Sequence, residues 1–295
     1  MKETLMENIS PKIKRGWLRA LLFLITAIIT SNLFAGIGLV AVMLSAGYDI
    51  SIMTNQELLT TELNKIGLIL PLKLFELLGL MLPLWLFMRF INRKPIKSLG
   101  LTFKDYKKDF KLGLAIGAGL IATGFIILSI LGSLTVSHLS FPLLDLLLYF
   151  LLFTVVAFHE EIFVRGYLLN NLMASMNKYA ALSITSLFFM SLHLLNPNIS
   201  VLSVINLFLA GIVLGIYYIH KPNLWLPIGM HLTWNYFQGP VFGFEVSGLN
   251  TIGIFNQNLS GHDIITGGEF GFEGSIIATI LIIGIIYFLD RKFSH

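Results

Sequence analysis

The sequence predicts an all-α, polytopic membrane protein of about eight transmembrane helices, with both termini on the cytoplasmic side. Three observations carry this. The chain of 295 residues is 56% hydrophobic and only 12% charged, with mean hydropathy +0.81, far from the roughly 25% charged residues of soluble domains. Its apolar residues fall into successive runs of about 20, the length that spans a bilayer as helix. Its basic residues gather between those runs rather than within them. Each run should be helical, because a lone span in hydrocarbon must satisfy its own backbone hydrogen bonds.

The first run, Ala20 to Tyr48, has 29 residues and no charge. A cleaved signal peptide has an apolar core of only about 7 to 15 residues, so this one reads as a retained membrane helix. The full set of spans is 18–47, 67–91, 112–136, 143–173, 179–196, 200–219, 224–241 and 274–289. The fourth is long enough to tilt or to project beyond the bilayer. Gly113 and Gly117 in the third span, and Gly211 and Gly215 in the sixth, are small residues four apart that allow close helix approach. The Gly117-Ala118-Gly119 cluster lies inside a membrane helix with no preceding strand, so it is not a phosphate loop. No repeat or linker divides the chain, and residues 1–295 read as a single membrane domain.

Orientation follows from charge. Residues 1–19 hold Lys2, Lys12, Lys14, Arg15 and Arg19; residues 89–111 hold Arg89, Arg93, Lys94, Lys97, Lys104, Lys107, Lys108 and Lys111. These thirteen of the 20 Lys and Arg flank apolar spans as the positive-inside rule expects. The net charge of +4 therefore points to the membrane surface and its lipid, not to nucleic acid. The outer segment between spans one and two carries Asp49, Glu57 and Glu62 with a single Lys65, and residues 242–273 carry Glu245, Asp263, Glu269 and Glu273 with no Lys or Arg. Lys178, Lys221, Arg291 and Lys292 fall inside. There is no cysteine, which removes disulfides, thiolate ligands and a Cys nucleophile. Compact loops and short termini lean toward a prokaryotic cell membrane.

Within this apolar frame, Glu160-Glu161-Ile-Phe-Val-Arg165 needs a reason. A charge at mid-bilayer costs roughly 3 kcal/mol on insertion scales, so an intramembrane ionisable cluster is first read as functional. Span five adds Phe189-x-x-x-His193 and span seven His231-x-x-x-Asn235, each pair on one helix face. Glu161 precedes Arg165 by four, the favourable order for an ion pair, whereas Glu160 has no partner in its helix and is the plausible general base. Spans four and five form a hairpin turning near Met176 and Asn177, so Glu160 and His193 each lie about 16 residues, roughly 25 Å of helix, from the turn. His231 and Asn235 lie only about 12 to 18 Å from the start of span seven, a mismatch that requires tilt or a projecting fourth helix. His159 and His220 read as structural, and Lys73 with Glu76, three apart on span two, as a helix-packing pair.

These three motifs, in this order on three membrane helices, resemble the CPBP family of intramembrane glutamic endopeptidases, which includes type II CAAX prenyl proteases and the Abi-like bacteriocin-processing and immunity proteins. The resemblance covers about 143–241, the family-like catalytic core. It implies hydrolysis without a covalent intermediate: Glu160 and His193 activate water, neutral His231 and Asn235 donate to the oxyanion, and Arg165 orients Glu161. Glu161, Arg165 and Phe189 are then supporting residues. The implied substrate is a peptide or protein, lipid-modified or membrane-anchored.

Other chemistries use the same residues. The local metalloprotease motif His-Glu-x-x-His is broken by Phe163, yet Glu160, His193 and His231 together satisfy the donor count of a catalytic zinc. A serine mechanism is disfavoured, since Ser191 lies two residues from His193 and points across the helix. A metal-independent protease is the leading reading. A non-catalytic immunity or peptide-binding protein and a transporter remain as alternatives, since both also place polar groups at depth.

Overall fold

The computed structural model describes residues 10–49, 52, 55, 58, 59, 62 and 65–294. Lys2 and Glu57 of the charge pattern lie outside the described residues. Eight long helical segments stand close to the expected spans: α1 (Gly16–Ser45), α2 (Ile66–Leu86), α3 (Lys107–Ile130), α4 (Leu143–Glu161), α5 (Lys178–Ser191), α6 (Val201–Ile216), α7 (Trp225–Tyr236) and α8 (Ile276–Phe293). Three continue as π-helix: α2 over Phe87–Asn92, α4 over Ile162–Leu169 and α7 over Phe237–Val241.

Four of these are long and apolar enough to cross a membrane: α1, α2 with its continuation, α3, and the unbroken run Leu143–Met173 built on α4. The other four are shorter or, in α8, end in Asp290, Arg291 and Lys292. Their starts are written in the sequence. Asn177 caps α5 by accepting from the Tyr179 amide at 2.9 Å, Ser200 and Ser203 form a capping box on α6, and Ser275 caps α8; each satisfies an N–H that the first turn leaves open.

Two expectations are corrected. The chain is not purely helical: α3 ends at Ile130, six residues before the predicted end of span three, and β1 (Leu134–Leu139) pairs antiparallel with β2 (Phe255–Leu259). Gly132 at φ +70° breaks the helix, and Thr135 and Val136 that follow favour extended backbone. The second correction is at α5, which closes at Ser191 rather than 196. His193 sits in the turn beyond it, its amide bonded to the Met190 carbonyl at 3.0 Å.

Packing places α4 and α7 at the centre. α1 packs on α2, α2 and α7 on α4, α3 on α7, α5 on α6, and α6 on α8. Both glycine pairs work by close approach. A Cβ at Gly113 or Gly117 would overlap the Leu226 or Met230 carbonyl of α7, and one at Gly211 would run into Ser186 of α5. The depth mismatch of span seven also resolves here. α7 starts inside the protein rather than at its face: Asn223, Leu224 and Leu226 are all buried, and the Leu224 amide donates to the Gly100 carbonyl at 2.9 Å. Gly100, at φ +101°, lies so close to Asn223 that a side chain there would strike its Cα.

Candidate active site

The end of α4 sets two carboxylates side by side in different environments. Glu161 is fully buried, and Arg165 Nη1 donates to its Oε1 at 2.9 Å. Arg165 is held on two further sides, donating through Nη2 to the Gly211 carbonyl at 3.0 Å and lying 4.5 Å over the Phe189 ring. A desolvated guanidinium is stabilised by such a carboxylate, carbonyl and π-face together. Glu160 is different. Its side chain is 20% exposed, it lines a cavity of about 490 Å³, and its Oε2 accepts no hydrogen bond from the described residues.

α7 brings His231 to both. Its Nδ1 lies 2.9 Å from Glu161 Oε1 and its Nε2 3.9 Å from Glu160 Oε2. Glu161 Oε1 also accepts from Arg165, so the His231 nitrogen facing it is the donor and Nδ1 carries a proton. A neutral His231 has a bare Nε2 and no N–H for an oxyanion; only the imidazolium has one, and Glu161 supplies the charge that offsets it. The Glu161–His231 contact was not foreseen, because no spacing rule links residues 70 apart.

His193 enters from the turn after α5. Its Nδ1 lies 2.9 Å from the Phe189 carbonyl, an acceptor only, so Nδ1 is again protonated and Nε2 is left as the basic atom. Phe189 is buried between the parts, its ring 4.9 Å from His193 and 6.3 Å from His231. Asn235, one turn beyond His231, lines the same cavity as Glu160, His193 and His231. Four residues from two helices and one turn thus share one space.

Residues 142–237 match the family model described as Type II CAAX prenyl endopeptidase Rce1-like. The Rce1-like segment runs from the start of α4 to the junction of α7 with its π continuation, and it contains every motif residue named above. α1 to α3 and α8 lie outside it. No curated protein and no solved structure matches the chain.

The cavity also holds residues first read as structural. His159 lines it, with a buried Nε2 that has no partner among the described residues. Lys73 and Glu76 line it too, paired at 2.7 Å. Ser247 and Glu273 come from the segments flanking β2, with Ser247 Oγ donating to Glu273 Oε1 at 2.6 Å. Among the described residues no three His, Asp or Glu side chains are grouped as a metal-binding set. His220 lies elsewhere, bonded to Asp290 at 2.8 Å where α8 ends.

Proposed function

We propose that this chain is an integral-membrane endopeptidase of the CAAX-protease type, hydrolysing peptide bonds with water activated by Glu160 and His193. The observation that carries the reading is the Glu160 carboxylate, whose Oε2 accepts no hydrogen bond from the described residues, lies 3.9 Å from His231 Nε2, and lines a cavity that also holds His193, His231 and Asn235. The Rce1-like match over residues 142–237 supports the same class.

The residues divide the work as follows. Glu160 takes the proton from water as its oxygen attacks the scissile carbonyl carbon, while Nε2 of His193 accepts a hydrogen bond from the water's other O–H and orients it. The oxyanion that forms is met by the Asn235 amide and by Nε2–H of a protonated His231, held in place by Glu161. A donor of this kind contributes about 3 kcal/mol to transition-state stabilisation in a site shielded from water. Collapse re-forms the carbonyl, breaks the C–N bond, and returns the proton to the leaving amine. The apolar walls, among them Leu152, Phe153 and Val156, suit a peptide presented from lipid or carrying a lipid group.

The test is cleavage of a peptide library by purified protein with and without a strong chelator. The expected result is cleavage that survives the chelator in the wild type and is lost in Glu160→Gln with an unchanged melting temperature. Cleavage retained by Glu160→Gln sinks the base assignment. Loss on chelation that zinc restores would replace the metal-free mechanism, and binding without cleavage would favour an immunity or peptide-binding protein.

A further inference from the structure

α2 contributes an ion pair to a cavity whose other charged walls are acidic. Among the described residues, Lys73 is the one lysine or arginine lining it, against the carboxylates Glu76, Glu160 and Glu273. Lys73 Nζ meets Glu76 Oε2 at 2.7 Å, with the two side chains 36% and 26% exposed. A pair that only fastened helices would be closed off between them. This one faces the space that holds Glu160.

An ammonium has three N–H donors, and Glu76 engages one. The i,i+3 contact fixes the direction of a side chain that would otherwise sample many rotamers, so little entropy remains to be lost on binding. The carboxylates Glu160 and Glu273 repel an anionic group. Apart from the oxyanion donors His231 and Asn235 beside Glu160, Lys73 is thus the position in the cavity that attracts one. That position sets which peptide bond stands at Glu160.

We propose that Lys73 and Glu76 form a carboxylate-recognition site of the cavity: Lys73 binds a carboxylate of the peptide, terminal or side-chain, and Glu76 orients the ammonium and moderates its affinity. The proposal rests on the endopeptidase reading for its meaning, but its binding step can be measured without cleavage.

The experiment uses purified full-length protein in lipid nanodiscs and one fluorescent peptide in three forms: free C-terminal acid, C-terminal amide, and the amide with one internal glutamate. Binding is read in the Glu160→Gln background and cleavage in the parent. The acid should bind about tenfold tighter than the amide, the scale of one charge-assisted hydrogen bond in a partly solvated site. The neutral double variant Lys73→Gln/Glu76→Gln should lose that preference, with the loss appearing in KM for the acid. Glu76→Gln alone should move the other way and tighten the acid, a sign that a structural pair would not give. Affinity restored to the amide by the internal glutamate identifies a side-chain carboxylate as ligand; affinity confined to the free acid identifies the peptide terminus. Equal binding of acid and amide by the protein with Lys73 and Glu76 intact overturns the proposal, as does an equal fall in kcat on all three peptides in the double variant. A preserved acid preference with no cleavage anywhere overturns only the endopeptidase reading.

Discussion

At the residue scale the site turns on one carboxylate shared by two cations or near-cations. Glu161 accepts from Arg165 and from His231, at 2.9 Å each. Removing its charge should therefore do two separable things. Glu161→Gln strands a buried guanidinium, which costs about 3–5 kcal/mol, and it withdraws the anion that supports a protonated His231. The double variant Glu161→Gln/Arg165→Met removes the stranded charge. Its melting temperature should return toward wild type while kcat stays roughly a hundredfold down, the scale of one lost oxyanion donor. Full recovery of kcat in the double variant would show that Glu161 serves Arg165 alone. The Glu161–Arg165 contact was legible because four residues make a helical neighbour. The His231 contact was not, since it depends on how α7 seats against α4.

At the element scale that seating is decided by glycine. α3 meets α7 through Gly113 and Gly117, and Thr233 Oγ1 crosses back to the Leu114 carbonyl at 2.9 Å. His231 lies on α7 between these contacts. Gly117→Val would drive a side chain into the Met230 carbonyl and Thr233, and overpacking of this kind costs about 1–3 kcal/mol or more. It should lower both the melting temperature and cleavage. Gly119→Val, two residues away, meets nothing within 4 Å and should leave both unchanged. Equal effects from the two would mean that α3 does not set the position of α7. The glycine spacing announced a close helix contact, but not which helix would fill it. Less of the local winding was legible. The π continuation Ile162–Leu169 is buried at every residue, so its apolar pattern carries no periodicity to betray the i+5 bonding, although such segments recur at functional sites. The β pair was hidden for another reason: β1 follows directly on an apolar helix, and its partner lies more than a hundred residues downstream.

At the scale of the whole molecule the small sheet constrains how many helices cross the membrane. β1 follows α3 and β2 follows α7, and because they pair they must lie on one side. The chain therefore crosses an even number of times between residues 139 and 255. α4 is long and apolar enough to cross, yet crossing by α4 alone would leave the strands on opposite faces. Crossings by α4, α5, α6 and α7 satisfy the pairing, and with α1 to α3 and α8 they give eight spans and two cytoplasmic termini, the arrangement the basic clusters favour. The chain has no cysteine, so single substitutions report position without a background. In intact cells an impermeant maleimide should label Ser260→Cys, which is exposed beside β2, and should reach Lys104→Cys and Ser294→Cys only after permeabilisation. Ser260 is the deciding site. Its protection in intact cells, with Lys104→Cys also protected, would overturn the eight-span arrangement together with the side assigned to the sheet.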